Sequence, residues 1–114
     1  MSEVKSVLYL IVKRPDPVYK QKWRGFELLE FHTHAKAKNI IEKYRSERLF
    51  VKITTSRDIV CSVMVEDVIA NEDGTFTVKF NDIRRDNWVL PGEIKGSAAT
   101  GFVVGRPPLP IPMN

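Results

Sequence analysis

His32-Thr33-His34 is the nearest thing to a metal pair in this chain. In a strand the two rings would share a face. A structural or catalytic zinc, however, needs three or four protein ligands. Cys61, the only cysteine, is far away in sequence, and spacing supplies no third ligand. The pair therefore reads as ordinary histidines near a helix start. Cys61 sits among Ile59, Val60, Val63 and Met64, an apolar setting that suits a structural thiol rather than a nucleophile. The stretch Gly96 to Gly101 has the glycine spacing of a phosphate loop. Phe102 and Val103 stand where the lysine and the hydroxyl residue must follow, so the motif fails. Glu66 with Asp67, and Glu72 with Asp73, are adjacent acids, and adjacent residues on a strand point apart. No catalytic residue, metal or cofactor is expected from these patterns.

Three features survive that test. The first is a basic and aromatic set: Lys13, Arg14, Tyr19, Lys20, Lys22, Trp23 and Arg24, with Lys36, Lys38, Lys43 and Arg45 further on. Cations attract phosphates without regard to sequence, and aromatic rings can stack on unpaired bases. The blander account is that Tyr19 and Trp23 pack inward while the charges solvate the surface. The second is Trp88 close to Arg84 and Arg85, a combination common at protein interfaces and equally common as a lid on a core. The third is Pro107-Pro108-Leu109-Pro110, which has the composition of a ligand for proline-binding modules, or simply of a stiff terminus.

The element that must position the first set is the stretch from Gly25 to Arg48. Phe26, Leu28, Leu29 and Phe31 suit a short strand, and the adjacent leucines call for a bulge or for cover on both faces. The period then changes. Ala37, Ile40, Ile41 and Tyr44 fall at i, i+3, i+4 and i+7, one stripe of an amphipathic helix. Thr33 is placed to N-cap it, without the acid or amide three residues on that completes a capping box. Lys43, Arg45 and Arg48 come late in the helix, at the end of the dipole that favours cations.

The rest of the chain reads mainly as strands. Val7 to Val12 is a continuous apolar run, expected to be buried on both faces. Pro15-Asp16-Pro17 marks a loop, and 18–24 reads as a loop or edge leading into the Gly25 strand. Phe50 to Thr54 and Ile59 to Val65 follow as strands, the latter continuing through Val68-Ile69-Ala70 after an interruption at Glu66-Asp67. Asn71-Glu72-Asp73-Gly74 is the clearest turn, with Gly74 free to adopt positive φ. Phe76, Val78 and Phe80 alternate with polar neighbours, completing a hairpin over 59–80. Residues 81–87 read as a polar loop, 92–105 as largely irregular with a short strand at Phe102 to Val104, and 106–114 as an extended proline-rich tail.

At 114 residues, 43% hydrophobic and 28% charged, the chain is expected to form one globular domain over residues 1–105. The net charge of +4 is unevenly spread: residues 1–57 hold 13 Lys or Arg against 6 acids, residues 58–114 hold 5 against 8. Such asymmetry suits a face turned toward a polyanion. A single cysteine, an N-terminal apolar run too short for a signal peptide, and no span of about 20 apolar residues point to a cytoplasmic, non-membrane protein. The fold expected is α+β, with one main amphipathic helix packed on a largely antiparallel sheet of about five to six strands. Pattern alone leaves that sheet free to stay open or to curl toward a small barrel. The first functional expectation is a small non-enzymatic regulatory protein that binds nucleic acid, DNA or RNA, through the basic N-terminal half. The second is an interaction module that inhibits or adapts a protein partner, an acidic one included, through a sheet edge, the Arg84-Arg85-Trp88 region or the tail. An enzyme is the third, since a fold can assemble a site from residues far apart in sequence.

Overall fold

The computed structural model describes residues 6–12, 21–25, 27–54, 59–85, 88–89 and 101–110. Its strands are β1 (Val7–Val12), β2 (Lys22–Arg24), β3 (Glu27–Thr33), β4 (Leu49–Ile53), β5 (Ile59–Ala70), β6 (Phe76–Arg84), β7 (Trp88–Val89), β8 (Gly101–Gly105) and β9 (Leu109–Pro110). A 3₁₀ turn (Ala35–Ala37) runs directly into the helix α1 (Lys38–Lys43). Seven strands form one sheet in the order β2-β3-β6-β5-β4-β1-β8, and β7 pairs with β9 in a small ribbon. The sheet is mixed: β1 and β4 are parallel and the other pairs are antiparallel.

This corrects the expected balance of helix and sheet. The helical segment is nine residues including its 3₁₀ turn, and the fold is dominated by the sheet. Thr33 is not its N-cap but the last residue of β3. His34 takes the capping position without a side-chain hydrogen bond. The first turn holds no acid, and Lys36 and Lys38 place cations at the wrong end of the dipole. With no cap to extend it, the helix stops at Lys43, and Tyr44, Arg45 and Arg48 lie beyond it. Ile41 is its one fully buried side chain, while Ala37, Ile40 and Tyr44 lean on the core.

The strand patterns translate more directly. All six residues of β1 are buried, because its two faces serve two clusters. Leu8, Leu10 and Val12 join Leu28, Phe31, Ile41, Leu49, Val51, Cys61, Val63, Val78 and Phe80. Val7 and Tyr9 join Phe50 on the opposite face, where the Tyr9 hydroxyl donates to the Arg106 carbonyl at 2.6 Å. The Leu28-Leu29 irregularity is a bulge, since Trp23 pairs with Leu28 while Lys22 pairs with Glu30. A second register shift falls at Glu66, between Val65 and Asp67. Gly74 turns the hairpin at φ +85°. One expectation fails here: β6 continues through the supposed polar loop as far as Arg84. Asp82, at φ +46°, absorbs a bulge in it, and Arg48 holds that bulge by donating to the Asp82 carbonyl and carboxylate.

The sheet is strongly curled but not closed. Flat strands about 4.8 Å apart would put β3 and β8, five steps from each other, about 24 Å apart. Instead Phe31 of β3 and Phe102 of β8 meet edge to face, with ring centroids 5.9 Å apart. No ladder joins β3 to β8, so side chains alone bridge the seam. Among the described residues no helix is long and apolar enough to cross a membrane.

Lys52 is the unexpected member of the interior. Its side chain is 0% exposed and its ammonium donates to the carbonyls of Ile53 (2.8 Å) and Thr54 (3.4 Å). Burial lowers its pKa from the ordinary value near 10.5. The unfolded chain therefore holds that proton more tightly, and stability rises with pH between the folded pKa and about 10.4, then levels off. Lys52→Met should remove this alkaline rise and stabilise the protein at neutral pH by about 1 kcal/mol. Urea unfolding at a series of pH values checks it, and an unchanged alkaline rise in the variant would refute the assignment.

Candidate binding site at the open seam

The seam exists because β2 is short. It pairs with β3 only over Glu27 to Glu30, so the Phe31 to Thr33 end of β3 extends past it. The 3₁₀ turn and α1 fold over that end. The result is a cleft of about 390 Å³ lined by Phe31, Thr33, His34, Lys36, Ala37, Ile40, Gly101 and Phe102. Its floor is apolar: Phe31 is buried, and Phe102, Ala37 and Ile40 are half-buried. Its rim is polar and positive, with His34 and Lys36 both exposed. Thr33 is only 9% exposed, and no hydrogen bond to its hydroxyl is found among the described residues.

The basic set separates into two groups around this cleft. On β2, Lys22 stands 3.5 Å from Glu30 and Arg24 donates to Glu27 at 2.7 Å. Burial alone would raise the pKa of Glu30, but the His32 hydrogen bond and the Lys22 cation outweigh it and hold the carboxyl below 4.5. Trp23 is half-buried against the core, with its indole N–H on the Gln21 side chain. On the helical segment the cations are less committed. Lys38 lies 5.2 Å over the Phe76 ring, Lys43 lies 5.8 Å over the Tyr44 ring, and Lys36 projects at the rim. Those three lysines make no ion pair with the described carboxylates. Arg45 does, with Glu42 at 3.7 Å, and it also donates to the Glu66 carbonyl. Lys13, Arg14, Tyr19 and Lys20 lie outside the described residues.

The other candidates are dispersed. Arg84 pairs with Asp82 at 3.2 Å, Arg85 is exposed, and Trp88 pairs through its backbone with Pro110. The two histidines do not share a face. His34 lies outside the strand, at the cleft, whereas His32 sits on the other side of β3 beside Glu30 (3.1 Å) and Thr77 (3.4 Å). Glu30 and Thr77 both approach the same imidazole nitrogen. A relay through the ring needs them on opposite nitrogens, so this is not a nucleophile triad. No group of three or more His, Cys, Asp or Glu among the described residues could hold a metal ion.

The sequence marks Lys36 only as one of the basic set and gives no sign that Thr33, Gly101 and Phe102 are its neighbours at a cleft. They converge only because the sheet curls, and no local pattern marks that convergence. Compared with known proteins, the chain matches no family model, no curated protein and no solved structure.

Proposed function

We propose that this chain is a small non-enzymatic regulatory protein that binds nucleic acid, with its contact surface on the helical segment beside the seam. The observation that carries this reading is the division among the cations. Among the described residues Lys36, Lys38 and Lys43 are exposed on one segment and make no ion pair, as is also true of Lys79 on β6, whereas Lys22, Arg24 and Arg45 each pair with a glutamate and Arg48 and Arg84 share Asp82. An exposed ion pair adds little stability, but its cation is already engaged when a phosphate arrives. The uncommitted lysines are the ones able to displace counterions from a phosphate backbone.

Fluorescence anisotropy with single- and double-stranded oligonucleotides over a range of salt tests the proposal. Affinity should fall log-linearly with salt. The combined Lys36→Glu, Lys38→Glu and Lys43→Glu variant should bind at least about tenfold more weakly and reduce the single-strand salt slope by about 2. No binding at low salt, or a triple variant with an unchanged slope, would overturn it.

One observation favours a second reading, capture of a protein partner by strand addition. The edge strand β8 has no charge, and Val103 and Val104 are exposed on it, whereas the opposite edge β2 is guarded by Lys22 and Arg24. Absence of nucleic-acid binding at low salt would turn the assignment this way. Removing the tail is a blunt tool for testing it, because Arg106 accepts the Tyr9 hydrogen bond and Pro108 is buried.

A further inference from the structure

We infer that the cleft at the seam is a pocket for one unpaired nucleobase, with the Thr33 hydroxyl on the polar edge of the base and Lys36 on the adjoining phosphate. The identity of the ligand rests on the nucleic-acid reading, while the pocket itself rests on geometry. Thr33 is 9% exposed and its hydroxyl has no hydrogen-bond partner among the described residues, whereas buried polar side chains nearly always have one. Thr33 lines a concavity, so a ligand entering there can supply that partner. The same concavity offers the half-buried Phe102 ring, backed edge to face by the buried Phe31, as an aromatic surface on which a flat heterocycle can settle. At about 390 Å³ it lies at the lower end of small-molecule clefts, a size for one base rather than a stacked run.

The charge pattern selects among apolar ligands. An acyl chain would fill the floor and leave the Thr33 hydroxyl unsatisfied. A base satisfies it and brings a phosphate to the rim, where Lys36 is exposed and Lys38 follows two residues on. A duplex cannot present a base this way without unstacking it, so the pocket favours single strands.

The experiment uses the full chain and compares an oligonucleotide with the same oligonucleotide carrying an abasic site. Thr33→Val keeps the shape and removes the hydroxyl. Ala37→Leu adds bulk at a half-buried position in the lining of the cleft. Thermal unfolding confirms that both variants remain folded. Each should weaken binding of the intact strand by about tenfold and leave the abasic strand unaffected. In amide NMR spectra, a nucleoside monophosphate should shift Thr33, His34, Gly101 and Phe102. If oligonucleotides bind with the expected salt slope but both variants bind them like the parent, the pocket is refuted and the lysine surface stands. If a mononucleotide shifts the cleft while no oligonucleotide binds, the pocket is supported for a free nucleotide and the broader reading fails. Shifts induced by decanoate and not by any nucleotide would overturn the base assignment in favour of an acyl ligand.

Discussion

Replacing Phe31 with alanine should cost about 3–5 kcal/mol, the usual penalty for emptying a buried aromatic site. Phe31 is 1% exposed, belongs to the main core cluster and holds β3 against β8 through Phe102. Because no ladder closes the seam, nothing in the hydrogen-bonding scheme replaces that contact. Domains of this size are stable by only about 5–15 kcal/mol, so the variant should sit near the edge of folding. Phe102→Ala should cost less, because its ring is half-buried and its loss opens the seam from the solvent side. Urea unfolding of both variants checks the order. A Phe31→Ala penalty below about 1 kcal/mol would mean that the curl is maintained without the aromatic bridge.

Arg48→Ala should cost about 2 kcal/mol, more than an exposed ion pair is worth. The Arg48 side chain is 18% exposed and its guanidinium donates to three acceptors: the Ser62 hydroxyl at 3.2 Å, the Asp82 carbonyl at 2.9 Å and the Asp82 carboxylate at 2.5 Å. It thereby ties the start of β4 to the bulge of β6 across β5. Ser62 is fully buried, and truncation takes away the Arg48 donor to its hydroxyl. Asp82 also stands at φ +46°, a conformation that asparagine and aspartate tolerate and β-branched residues resist. Asp82→Asn should therefore be milder than Arg48→Ala, and Asp82→Val at least as severe. A urea-unfolding difference within about 0.5 kcal/mol for Arg48→Ala would show the contact to be ornamental.

Much of the sheet was legible because strand signals are local. The apolar run of β1, the Asp73-Gly74 turn and the alternation of Phe76, Val78 and Phe80 each depend on residues within a few positions of one another. Even the bulges left traces, in the adjacent leucines 28 and 29 and in the acids at 66 and 67. The helix is shorter than its apolar stripe because the stripe is real while its start is weak. Ile41 and its neighbours do lean on the core, but the N-terminal end has no side-chain cap. The polar stretch 81–84 carries no local strand signal because its support comes from Arg48, 34 residues before Asp82.

The candidate site was legible only as a charge imbalance. Composition placed an excess of cations in the first half of the chain. It could not separate Lys22 and Arg24, which pair with acids on the neighbouring strand, from Lys36, Lys38 and Lys43, which do not. Ion pairing depends on register, and register depends on the bulge at Leu29.

By itself, then, the amino-acid sequence determined most of the longer strands, the main turn, the stripe of the short helix and the bias of charge, since each follows from the chemistry of near neighbours. The tertiary structure alone decided that β3 and β8 meet, that Thr33 lines a cleft without a hydroxyl partner among the described residues, and that Lys52 is enclosed. Those outcomes follow from the curl of seven strands, a property of long-range pairing that no single segment encodes.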